Sequence, residues 1–349
     1  GGRRLVEALR QRVTTAAPWP EKPKVTLNLG FSFFGLYALG LPTRSLQAFP
    51  YEFIEGMKQR AHILGDMDLS KTSQAQPDWN AHWDPIWRET HYGTGDEVHV
   101  WISMNAQVQP DTDQAVPELE AQTQWLRDLC ADTPGVTLLR GHGRDGGTEY
   151  QAATAIFKTG PDGQRYPTPL EHFGFTDGIG DPVFEGQMPP AEMRERVRGR
   201  GKWMGAKTGW QPLATGEFLL GHPDEAQELP PAAHPDQLTR NGTFMAYRKL
   251  HQNVGRWRDY FAERAALYAR IFGVGEDEAR VTLTSKAMGR WPDGIPLAKA
   301  GTFAAWQAER ARLGLDDPEA MRRYLKSAES CDFLYASDMQ GYDAPNTSH

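Results

Sequence analysis

A chain of 349 residues, 39% hydrophobic and 24% charged, has the length for one large or two ordinary domains and the composition of a soluble globular protein. Its formal net charge of −7 excludes the broad basic face of a general nucleic-acid binder. Two cysteines, Cys130 and Cys331, exclude a disulfide framework and a clustered zinc site, and no apolar run approaches the roughly 20 residues that span a bilayer.

The Gly1-Gly2-Arg3-Arg4 start lacks the apolar core of a signal peptide and fits a processing or cloning remnant, so the expected compartment is the cytoplasm. Residues 3–16 predict a basic amphipathic helix with Leu5, Val6, Leu9 and Val13 on one side. The PWPEKP stretch at 18–23 cannot be helix interior, because proline lacks the amide donor and clashes with the preceding turn. Val25, Leu27 and Leu29 then alternate as a strand. A helical turn over 35–39 and a helix over 50–64 follow, and residues 66–95, with Trp79, Trp83 and Trp87, predict a long polar excursion.

A strand over 97–104 places Val98, Val100 and Ile102 on one face. The helix expected at Pro117–Ala131 starts on proline and turns Leu119, Leu126, Leu129 and Cys130 inward. With a strand at 135–140, the order of elements is that of an α+β, ferredoxin-like unit, an antiparallel sheet with helices on one face.

The order starts again further on. A short apolar stretch at 217–220, a strand at 242–250 and a helix over Val254–Phe272 are followed by a turn-rich loop at 289–297 and helices at 304–313 and 318–325. No closing strand follows before His349, so the second ferredoxin-like unit is expected to be incomplete at its C-terminal end. The expected divisions are an N-terminal helix and proline-rich arm at 1–24, a first unit at 25–170, a linking loop at 171–215 and a second unit at 216–349.

The linking loop begins with EHFGFTDGIGDPVFEG, residues 171–186. Four glycines flank Asp177 and Asp181, with Phe173, Phe175 and Phe184 alongside. Two local readings are open. Apolar cover would raise a carboxyl pKa and make it a usable acid or base. Alternatively, the aspartates cap turns in an ordinary surface loop.

Six further segments stand in order around this loop: 28–41, 49–66, the strand with Val98 and His99, 216–221 (GEFLLG), 241–250 and 288–297. Together with GxxDG at 174–178 they resemble the dye-decolorizing peroxidase family of haem proteins. The resemblance implies a pair of ferredoxin-like units of the dimeric α+β barrel type holding haem b. It implies reduction of hydrogen peroxide through a ferryl haem, with oxidation of small aromatic or dye-like donors. It makes Asp177 the distal catalytic carboxylate and lets Gly178, Ile179 and Gly180 approach the porphyrin. It places the iron ligand at His349, in the short proline-containing loop after 331–341. In the family the distal arginine lies C-terminal to that histidine, beyond the end of this sequence, so the role is left unassigned and nothing gives it to Arg248 or Arg290.

Asp181, before Pro182, is read as a turn residue, His99 as structural, and His172 as a weaker ligand candidate than His349 that is read first as structural. Trp203, Trp210, Trp257, Trp291 and Tyr335 are candidate radical relays or simply core, and the sequence does not separate the two. A haem carrier or iron-handling protein on the same scaffold is the alternative function, and a haem-free ligand binder a third. Expected partners are peroxide and aromatic donors, with a homo-oligomer or an encapsulating shell protein as further partners, and neither nucleic acid nor membrane.

Overall fold

The computed structural model describes residues 1–66, 83–87, 97–110, 112–142, 147–160, 163–205, 207–331 and 333. They fall into two units, Gly1–Tyr166 with Pro230–Tyr247, and Pro167–Leu229 with Arg248–His349.

In the first unit α1 (Gly2–Arg10) leads to β1 (Val25–Phe31), then to the short helices α2 (Phe33–Ala38), α3 (Thr43–Leu46), α4 (Tyr51–Gln59) and α5 (Ala61–Leu64). β2 (Val100–Ala106), α6 (Pro117–Ala131) and β3 (Ile156–Thr159) follow, and β4 (Arg165–Thr168) begins at the end of this segment. β1 and β2 pair antiparallel, with Val25 opposite Ala106 and Leu29 opposite Ile102. Leu5 and Leu9, one helical turn apart on α1, close over Leu27 of β1 and over Leu126 and Cys130 of α6.

Several expected boundaries move, each for a visible reason. α1 ends at Arg10 rather than 16, because Thr14 turns onto β1: its amide donates to Leu27 O, and its hydroxyl accepts the Leu27 amide. The helix expected over 50–64 divides into α4 and α5, with a break at Gly56 (φ 69°) inside α4. β2 starts at Val100 rather than 97, because Ser32 at the start of α2 donates its hydroxyl to Val98 O and its amide to His99 O. Residues 135–140 form no strand. Val136 and Leu138 pack into the core, but their backbone joins no ladder. Residues 242–250 likewise form none. Phe244 sits against Phe49 and Phe53, and Tyr247 against Trp101, through their rings.

The second unit contains α7 (Pro190–Arg196), the two-residue strands β5 (Lys202–Trp203) and β6 (Trp210–Gln211), α8 (Val254–Phe272), α9 (Glu276–Met288), α10 (Phe303–Leu313) and α11 (Pro318–Lys326). α8 starts on Asn253, whose side chain accepts the Arg256 amide, and stops at Gly273 in the left-handed conformation. α9 has no counterpart in the sequence reading. Its first turn carries Glu276, Asp277 and Glu278, which favour the positive end of the helix dipole. Ala265 and Ala269 of α8 meet Ala279 of α9, small side chains that let the two backbones come close.

The second core forms around Trp291, which is fully buried and stacks on Trp306 at 4.8 Å with the planes 5° apart. Its indole donates to Ala300 O at 2.7 Å, and that of Trp306 donates to Asp293 Oδ2 at 2.8 Å. Burial pushes the Asp293 carboxyl above the ordinary aspartate value, with the Trp306 and Ile295 hydrogen bonds opposing it.

The fold is α+β, as the sequence implied, with small sheets and, among the described residues, no closed barrel. The described sheets each have two strands. Both cysteines are buried and free. No described helix is long and apolar enough to cross a membrane.

Two stability experiments follow. Trp291→Ala should cost about 3–5 kcal/mol by denaturant unfolding, against about 0.5 kcal/mol or less for Tyr51→Ala, since Tyr51 is 75% exposed. Because the folded-state pKa of Asp293 is raised, the stability it contributes is full below the unfolded pKa and is lost as pH rises through the folded value. The unfolding free energy of the native chain relative to Asp293→Asn should therefore decline as pH rises from about 4, measured by urea titration at several pH values.

Candidate functional site

The loop bearing Asp177 is a closed turn. Leu170 and Thr176 bridge, the Asp177 amide donates to Pro169 O at 2.7 Å, and the Glu171 amide donates to Phe175 O at 2.8 Å. Inside the turn, the Glu171 carboxylate accepts the amides of Phe173 (2.7 Å) and Phe175 (2.8 Å), one on each oxygen. Gln252, just before α8, donates its side-chain amide to Glu171 Oε2 and accepts the His172 amide at 3.3 Å. A charge-assisted pair of this kind is stronger than neutral bonds of the same geometry.

A second anchor holds the other side. Thr176 donates both its amide and its hydroxyl to Pro292 O, at 3.0 and 2.9 Å. Gly294 (φ +89°) lies under Ile179, where an added Cβ would come within 2.6 Å of Ile179 Cδ1. The positive φ favours glycine there, and an added side chain would also have to displace the Ile179 methyl.

Asp177 itself is exposed. Its Oδ1 accepts the Gly178 amide at 2.7 Å. The apolar cover expected from the phenylalanines is absent, because each ring is engaged elsewhere. Phe175 is buried, Phe173 stacks on Trp257, and Phe184 stacks on Phe218. Local packing therefore does not desolvate this carboxylate. Gly178 (φ +71°) has open space where a Cβ would stand, so a flat group can approach its backbone.

Gly180 brings the site to the end of the described chain: a Cβ there would lie 3.7 Å from Cys331 Sγ. Two arginines hold this end. Arg200 donates to Ser327 O and to the Ser330 hydroxyl. Arg290 donates to Gly294 O and Ser330 O and lies over the Phe333 ring at 4.5 Å. Burial pulls the Arg290 pKa below the ordinary arginine value. Arg290 is thus engaged by backbone carbonyls, and Arg248 is exposed.

His349 and Tyr335 lie outside the described residues. His172 is exposed, and His99 Nε2 lies 3.5 Å from Glu97 Oε2. Trp203 and Trp210 meet edge to face at 5.6 Å. Among the described residues, no group of three or more histidine, cysteine or carboxylate side chains is placed to hold a metal ion. The sequence reading missed the Glu171–Gln252 pair. Its partners are 81 residues apart, and no local signal joins them.

No family model matches the chain. Among curated proteins it is 25% identical over 298 residues to Peroxidase 2 of Mycetinis scorodonius, covering 85% of this chain and 44% of that protein. It is 23% identical over 277 residues to a dye-decolorizing peroxidase of Mycena epipterygia, covering 79% and 40%. It is 33% identical over 129 residues to a multifunctional dye peroxidase of Amycolatopsis sp., covering 37% and 23%. Among solved structures it superposes on an ancestral D-type dye-decolorizing peroxidase with a TM-score of 0.61 at 20% identity, covering 96% of this chain and 58% of that one. A dye-decolorizing peroxidase of Auricularia auricula-judae gives 0.60 at 19% identity, covering 98% and 57%. The chain spans about half the length of Peroxidase 2 and of the ancestral enzyme.

The anchoring of the loop is testable without activity. Glu171→Ala leaves the Phe173 and Phe175 amides without their carboxylate partner, and their hydrogen-exchange protection should fall about tenfold or more. Amides of α6, in the other unit, should exchange unchanged.

Proposed function

We propose that this chain, which has dye-decolorizing peroxidases as sequence relatives and shares their fold, is a haem peroxidase that reduces hydrogen peroxide and oxidises aromatic donors. The observation that carries the reading is Asp177, exposed at the tip of a loop anchored from two sides, in a chain whose relatives are peroxidases.

Two features of the described residues support haem binding at this loop. Gly178 has open space above its backbone, and Ile179 is pinned against Gly294. When bound, haem b supplies the iron at which peroxide is cleaved and stores the oxidising equivalents. His349 is the residue proposed to hold the haem iron. The chain's own contribution is proton movement. Splitting peroxide requires a proton to leave one oxygen and reach the other, and a positioned carboxylate can do both. Oδ1 of Asp177 is held by Gly178, so Oδ2 is the atom we assign to that transfer. The anchors at Glu171 and Thr176 set where Asp177 stands, which matters because a misplaced general base loses rate steeply.

A solved relative is described in complex with 2,6-dimethoxyphenol, and phenols of that kind are the donors proposed here. The full chain reconstituted with haemin should give a Soret band that His349→Ala shifts or abolishes. Asp177→Asn should retain the band and slow the reaction with peroxide by about 10²–10⁴-fold in stopped flow. An unchanged rate would remove Asp177 from the mechanism. Haem binding without a rapid peroxide reaction would favour the carrier alternative, and no Soret band would favour a haem-free binder.

A further inference from the structure

We propose that the second unit carries a separate binding site for planar aromatic carboxylates, in a cleft between the Asp177 loop and the α8–α9 hairpin. The cleft has a volume of about 530 Å³, within the usual range for a small-molecule site. Asp177, Gly178, Ile179 and Gly180 do not line it. One wall is aromatic. Phe173 stacks on Trp257 with centroids 4.4 Å apart and planes 23° apart, and Phe261 leans on Trp257 at 4.4 Å. Such a wall favours a flat ring by stacking and by apolar burial.

The other lining groups are cationic or neutral. Arg258 of α8, Arg280 of α9 and His172 of the loop line the cleft, and no acidic residue does. In a chain of net charge −7 this is a local reversal of sign. Arg258 has no hydrogen bond or ion pair among the described residues. Arg280 pairs with Asp277 at 3.0 Å, both of them exposed, a contact that an incoming anion can replace at little cost. Glu171, the nearby loop carboxylate, is occupied by two backbone amides and Gln252. A guanidinium recognises a carboxylate through paired N–H donors. The combination selects a ligand with one or two fused rings and a carboxylate.

The test is calorimetric titration of the full chain with 2-naphthoate and, separately, with neutral 2-naphthamide. Saturable 1:1 binding of naphthoate is expected, with the amide markedly weaker. Arg258→Gln should weaken naphthoate binding by about tenfold or more and leave the amide unaffected. Trp257→Leu should weaken both. Arg264→Gln, also on α8 but outside the cleft, should behave as the native chain. Equal affinity for acid and amide, no saturable binding, or native affinity in Arg258→Gln would each overturn the proposal. Displacement of naphthoate by haemin would overturn it too, by assigning the cleft to haem. Binding is measured without turnover, so its failure is distinct from failure of the peroxidase reading.

Discussion

One carboxylate sets the shape of the loop that carries Asp177. Glu171 collects two backbone amides from within its own turn and binds Gln252 at the start of α8. The turn is thereby closed internally and tied to a five-turn helix in the same step. Thr176 and Ile179 then fasten its far side to the segment 291–296, which is itself buried around Trp291. A side chain carried by a loop is usually positioned less well than one on a helix or strand. Here the loop borrows the rigidity of both.

The support beneath it uses polar groups sparingly. The stacked indoles of Trp291 and Trp306 each need a buried acceptor, one provided by a carbonyl and the other by Asp293. Placing a carboxylate there costs desolvation, which the raised pKa records. The compensation is orientation: Asp293 fixes Trp306 from below and also accepts the Ile295 amide, within the turn that holds Thr176 and Ile179.

Much of the helical content was legible because its ends are marked. Pro117–Ala131 begins on proline, and Val254–Phe272 stops at glycine, so both stand where composition and period put them. α9 was not legible, since it buries Thr282, Thr284 and Ser285 and shows no apolar stripe, although its acidic first turn and Gly289 were signals. Residues 242–250 alternate like a strand, but a strand also needs a ladder partner, which periodicity does not specify. At the site, the GxxDG spacing and the resemblance it supports were visible in the chain. The bonds that hold the loop were not, because Glu171–Gln252 and Thr176–Pro292 join residues 81 and 116 positions apart. The exposure of Asp177 was open in the sequence between two local readings, because phenylalanines that neighbour it in sequence turn to other partners in space.

The two free thiols have a consequence of their own. Cys130 is buried in the core of the first unit, and Cys331 is buried in the second, beside Gly180 and Gly199. Neither is accessible to a thiol reagent until its surroundings open, so each reports the local opening of its own unit. The chain therefore contains a built-in pair of clocks. Cys130→Ser and Cys331→Ser would each leave one running, and comparing their labelling rates would show which unit opens first.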